Sequence, residues 1–118
     1  MTSPWRNLAD DEAALVETLA RFAAAELVPK AAGVDETASF VHEQLRGLAA
    51  LGVMGANLPE EAGGAGVSAP ALLAIVATVA GACGSTASAL TAHYLATDSL
   101  LLGGSEGQKK YWLPRAAT

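Results

Sequence analysis

Residues 52–67 read Gly-Val-Met-Gly-Ala-Asn-Leu-Pro-Glu-Glu-Ala-Gly-Gly-Ala-Gly-Val, and five glycines and one proline in sixteen residues stop any regular helix from running through them. The chain must turn here. Gly63, Gly64 and Gly66 permit positive φ or close backbone approach, Pro59 stiffens the start of the turn, and Glu60-Glu61 keep its crest in water. A phosphate-cradling loop would need a strand before it, whereas residues 40–51 have helical spacing. The local pattern is therefore that of a connector between helices.

Upstream, Val41, Leu45 and Leu48 fall at i, i+4, i+7 in a helix predicted to begin between Thr37 and Val41, with Ser39 as a cap, and to end at Leu51-Gly52. An earlier helix starts near Asp10 or Asp11, whose carboxylates suit free N–H groups and the positive end of the dipole. Leu15, Leu19 and Phe22 form its inner row, widened by Val16, Ala20, Ala23 and Leu27. Pro29 removes an N–H and disfavours helix at Val28, which predicts a stop there. His42, beside Glu43, reads as a surface residue with no second ligand at metal spacing.

Downstream, Val67 to Thr97 is a stretch of thirty-one residues without an Asp, Glu, Lys or Arg. A membrane span is set aside because Pro70, Gly81, Gly84 and several hydroxyl residues interrupt it and no basic residue flanks it closely. Two buried helices account for it better. Ser68 caps the first, with Pro70 in its opening turn and Leu72, Ile75, Val76 and Val79 as its stripe. Leu73 and the alanines make its other faces apolar, predicting a helix enclosed on nearly all sides. The break falls at residues 81–84, and the next helix runs from about Ser85 to Leu102, stopped by Gly103-Gly104. Along it Ala87, Thr91 and Leu95 form one row and Leu90, Tyr94 and Leu101 a neighbouring one, with small residues at the start that leave room for a packed helix or an apolar ligand. His93 reads as a polar residue at the core's edge, since Asp98 is five positions on and off its face. Ser105 and Gln108 have capping-box spacing and open a last helix that continues to Pro114.

The 118 residues suffice for one domain, and 27 alanines with only 5% aromatic residues favour closely packed helices over a bulky β core. The fold class is all-α, an orthogonal or up-down bundle of about five helices. A formal net charge of −5 without a basic stripe argues against nucleic acid and against a polybasic membrane patch. Cys83, the single cysteine, reads as a small buried hydrophobe in a reducing compartment. The first residues, Met-Thr-Ser-Pro-Trp-Arg, lack the apolar core of a signal peptide, so a cytoplasmic location is expected.

Several segments then fall into one order: Arg21-Phe22 before Pro29, Asp35 and Phe40 before a helix, Leu51 to Gly55 leading into Leu58-Pro59-Glu60-Glu61, and Gly63-Gly64-Ala65-Gly66. Gly104-Ser105-Glu106-Gly107-Gln108-Lys109-Lys110-Tyr111 and Leu113-Pro114 close the series. From Arg21 onward the chain resembles the N-terminal helical domain of the acyl-CoA dehydrogenases. It departs from that family at Ala77-Thr78, where a pair of glutamates is usual, and at Gly81, where an arginine is expected. Those changes imply a different subunit contact for this helix or a relaxed, specialised member of the family.

The resemblance implies that residues 1–118 are the first of three parts, with a flavin-binding β-barrel and a C-terminal helical bundle outside the chain. It implies an FAD-dependent oxidation of an acyl-CoA thioester across Cα–Cβ, with a proton removed at Cα, hydride passing from Cβ to flavin N5, and electrons leaving to an electron-transfer flavoprotein. The base and most flavin contacts belong to the other parts, so Glu60 and Glu61 are given no catalytic role and the chain alone is expected to be inactive. Ala87, Thr91 and Leu95 align with positions lining the acyl-chain pocket, and their small members imply a roomy one. A homo-oligomer or a companion chain is implied. Two other readings are a non-catalytic helical module from a truncated or split gene, and a flavin oxidase or monooxygenase of the same fold.

Overall fold

The computed structural model describes residues 7–118, so the leader reading of residues 1–6 lies outside the described residues. Six α-helices follow in order: α1 Asp10–Phe22, α2 Val28–Thr37, α3 His42–Ala50, α4 Ala69–Ala82, α5 Gly84–Gly103 and α6 Glu106–Ala116. Among the described residues there is no strand. A wide π turn, Ala23–Leu27, joins α1 to α2 without a break, so the six helices make five rods, in agreement with the all-α bundle read from the sequence.

That join corrects the expected stop at Val28. Proline has no N–H and its ring crowds the carbonyl four residues back, but a π turn opens the ladder at this step. Pro29 then sits in the first turn of α2, directly after that widened step, where Val28 N still reaches Ala23 O and the ladder has room for a residue without an N–H. Pro114 likewise lies inside α6, which runs on to Ala116. Its side chain is exposed, so water can satisfy the carbonyl that loses a donor.

The loop of residues 52–67 folds mainly on itself. Gly63 and Gly66 take φ of 89° and 58°, and Gly64 is pressed against its own loop: a Cβ there would lie 2.5 Å from Gly55 O. The loop amides bond inward, Gly64 N to Pro59 O at 3.0 Å, Ala65 N to Gly55 O at 3.0 Å and Gly66 N to Leu58 O at 2.8 Å. Leu58 at its centre is fully buried against Leu113 and Ala117, which seals the turn onto α6.

The main core gathers Leu19 and Leu27 from the first rod, Leu48 from α3, Val53 from the loop, Ile75 and Val79 from α4, and Leu90 from α5, all fully buried. Cys83, the one extended residue between α4 and α5, is buried with them as expected. The molecule is a plate, 41 × 37 × 19 Å, and a helix with its side chains is about 10–12 Å across. A plate so thin cannot surround any helix. This corrects the expectation that α4 is enclosed on nearly all sides: Ile75 and Val79 face inward, while Leu73 is 61% exposed. Thr78 is half-buried, its hydroxyl donating to Ala74 O at 2.7 Å, and an added Cβ at Gly81 would meet nothing within 4 Å.

Asp10 and Asp11 lie inside the first turn of α1, and Ala9 takes the cap position. The capping carboxylate belongs to Glu12, which accepts from Ala9 N at 3.2 Å and also reaches across to α4, accepting from Ser68 N at 2.6 Å and Ser68 Oγ at 3.1 Å. Ser68 Oγ in turn accepts from Ala71 N at 3.3 Å. One side chain thus fastens two helix starts. The Ser68 backbone bond holds the Glu12 carboxyl below the usual carboxylate value, so this contribution to stability is present above the unfolded pKa and fades as pH falls through the lowered one. Thermal unfolding of Glu12→Gln should show a weaker loss of stability on acidification than the parent chain. Parallel Tm profiles in acid would contradict the clasp.

Candidate functional site

The face of α5 turned away from the core bears Ser88, Thr91, Ala92, Leu95, Ala96, Ser99 and Leu102, all exposed and none charged. Positions spaced by three and four make one continuous helical stripe. Leu95 is 70% exposed and Leu102 85%. An uncharged helix face of this length on a domain surface is a feature shared with surfaces that bind a partner or a ligand.

Beside this stripe the first half of α4 lies along the second half of α5, and between them runs an apolar groove of about 390 Å³. Ala69, Leu72, Leu73 and Val76 form its α4 bank, and Thr91, Tyr94, Leu95 and Asp98 its α5 bank. From Thr91 to Asp98 the helix rises about 10 Å at 1.5 Å per residue, which sets the groove's length. Of the three residues singled out in the sequence, Thr91 and Leu95 border this groove and Ala87, 6% exposed, packs into the core one turn before Thr91. The Thr91 hydroxyl donates back to Ser88 O at 3.0 Å, so the methyl group is its apolar contribution.

Three side chains lock α5 to the loop. Tyr94 donates its hydroxyl to Val53 O at 2.5 Å, and burial pushes its ionisation well above the usual phenol value. His93 Nε2 lies 2.9 Å from Met54 O, consistent with a polar residue at the core's edge. Asn57 Nδ2 donates to Asp98 Oδ1 at 2.7 Å and Thr97 Oγ1 at 2.9 Å. Neither Asn57 nor Asp98 stood out in the sequence. A lone Asn ahead of Leu58-Pro59 looks like turn chemistry, and only the pairing of loop with helix gives it a partner.

A second apolar groove, about 430 Å³, lies between α5 and α6, bordered by His93, Ala96, Thr97, Leu100, Trp112, Arg115 and Ala116. The Arg115 guanidinium stands 3.8 Å from the centre of the Tyr111 ring. Among the described residues no group of three or more His, Cys, Asp or Glu is placed to hold a metal ion, and no helix is long and apolar enough to cross a membrane.

These residues do not by themselves fit a flavin dinucleotide. A pyrophosphate needs free N–H groups, and the glycine loop has turned its amides onto its own carbonyls. Any such cofactor would have to find its phosphate ligands elsewhere.

Residues 9–118 match the family model described as acyl-CoA dehydrogenase, N-terminal domain. A probable acyl-CoA dehydrogenase of Mycobacterium leprae is 36% identical over 111 residues, which cover 94% of this chain and 28% of that protein. The mitochondrial short-chain specific acyl-CoA dehydrogenase of Sus scrofa is 34% identical over 100 residues, covering 84% and 24%. The butyryl-CoA dehydrogenase from Megasphaera elsdenii superposes with a TM-score of 0.85 at 24% identity, covering 99% of this chain and 31% of its own, a likeness of fold. The chain thus spans 24% to 31% of the length of these relatives.

Proposed function

Because the chain belongs to the acyl-CoA dehydrogenase family as its N-terminal domain, we propose that it forms one wall of the acyl-chain pocket in an FAD-dependent enzyme that oxidises an acyl-CoA thioester across Cα–Cβ. The observation that carries this reading is the uncharged outer stripe of α5, where Thr91 and Leu95 stand exposed beside an apolar groove. Apolar side chains that the domain leaves in water contribute nothing to its own core and gain about 25 cal/mol per Å² once covered.

The domain supplies shape and exclusion of water, and no general base. FAD, when bound by the polypeptide beyond this domain, supplies the hydride acceptor. The domain's own part is to hold α5 at a fixed height, through Tyr94, His93 and Asn57 on the loop, so that the wall does not give when a chain presses on it. Ala87, Thr91 and Leu95 are the residues assigned to the pocket wall, Ala87 by keeping the helix close to the core and the other two by direct contact. Electrons pass to an electron-transfer flavoprotein, the enzyme is a cytoplasmic oligomer, and the outer face of α4, where Ala77-Thr78 and Gly81 replace charge, meets a neighbouring domain or subunit.

Substituting Thr91→Phe in the flavin-loaded enzyme that contains this domain is expected to shorten the preferred acyl chain. Each methylene excluded from an apolar pocket is worth about 1–3 kcal/mol, or roughly 10–200-fold in kcat/KM. A length profile identical to the parent's would remove α5 from the pocket. The same face fits the second reading, a helical module that docks on a companion chain. Visible flavin absorption of the 118-residue chain, alone and mixed with such a chain, separates the two.

A further inference from the structure

The α4–α5 groove is apolar on both banks except at one end, where Asp98 closes the α5 side. Its carboxylate is half-buried, and one oxygen, Oδ1, is taken by Asn57 Nδ2 at 2.7 Å. Among the described residues no lysine, arginine or histidine pairs with it: the ion pairs found are Arg21–Glu17, Lys30–Glu26, Lys30–Glu43 and Lys109–Glu106, all away from the groove. The whole stretch from Val67 to Thr97 brings no other charge to either bank. Among the described residues Asp98 is thus an acidic side chain without a cationic partner beside an otherwise apolar wall. Covering that wall lowers the local dielectric and strengthens the charge's effect.

The geometry points to Asp98 as a specificity-determining residue that makes the pocket reject acyl groups ending in a carboxylate and accept those ending in an apolar group. This rests on the α5 wall proposed above. A terminal carboxylate lying along the groove would meet a like charge with no cation between them, in a site that sheds water on closure. A terminal methyl in the same place meets the apolar banks and carries no charge for Asp98 to repel. Asn57 is the positioning residue, fixing the Asp98 carboxylate through one oxygen.

The test compares two acyl-CoA thioesters of equal chain length in the flavin-loaded enzyme that contains this domain, one ending in methyl and one in carboxylate. Asp98→Asn keeps an oxygen acceptor for Asn57 and removes the charge, and Asp98→Ser removes the charge with less bulk. Either should raise the ratio of kcat/KM for the carboxylate-ended over the methyl-ended thioester by about tenfold or more, since close like charges shift equilibria by a kilocalorie or more. The gain should shrink as salt is added, which a change of shape alone would not produce. An unchanged ratio in both variants, with Thr91→Phe still shortening the length preference, overturns the role of Asp98 and leaves the wall in place. Unchanged selectivity in all three variants overturns both.

Discussion

Gly64→Ala is expected to cost the chain about 3 kcal/mol, at the upper end of what overpacking a single methyl does. The new Cβ would overlap Leu58 O as well as Gly55 O, and both are backbone atoms pinned by their own hydrogen bonds with Gly66 N and Ala65 N. No flexible side chain is available to give way. Relief requires the turn to open, which would draw Leu58 out of its contact with Leu113 and Ala117 and loosen α6. The urea midpoint should fall sharply, with the Trp112 emission reporting on α6. Gly107→Ala is the matched control, because a Cβ there meets nothing within 4 Å and Gly107 lies in the first turn of a helix, where alanine is favoured. Equal midpoints for the two variants would contradict the close approach.

The second large effect is a contrast along one helix. Leu90→Ala empties a site with no exposure in the main core and is expected to cost about 3–5 kcal/mol, the transfer term plus the cavity left behind. Leu95→Ala, five residues on and 70% exposed, is expected to change stability by less than about 0.5 kcal/mol. The two leucines share a helix and a chemistry but serve different surfaces. If Leu95→Ala destabilised the chain as much as Leu90→Ala, the α5 stripe would be part of this domain's core and the pocket wall would have to be sought elsewhere.

Much of the architecture is legible in the residues because local chemistry and global fold agree there. Ser68 with Pro70, and Ser105 with Gln108, announce helix starts that form where expected, each serine accepting from the amide three residues on. The glycine turn is legible for the same reason, since positive φ at Gly63 and Gly66 is a backbone need that few other residues meet. The two prolines misled because a proline's cost depends on the turn it occupies: Pro29 follows a π turn and Pro114 sits on an exposed side near a helix end. α4 misled in another way. Periodicity gives the face that turns inward, but only the thickness of the whole plate determines whether the other faces are covered. Of the row read on α5, Thr91 and Leu95 border the groove while Ala87 packs into the core, and the groove's opposite bank on α4 and its end at Asp98 depend on which helices lie side by side. Asn57 was invisible for a related reason, because its partners lie 40 and 41 positions away.

The 19 Å depth of the plate bears on how inherited variation in this domain would show itself. With so little material between its broad sides, what counts as the outside of the domain becomes the inside of any larger assembly. Changes at the exposed Leu73 or Leu95 would pass unnoticed in a folding assay of this chain, and under the wall proposed above they would surface only as altered turnover.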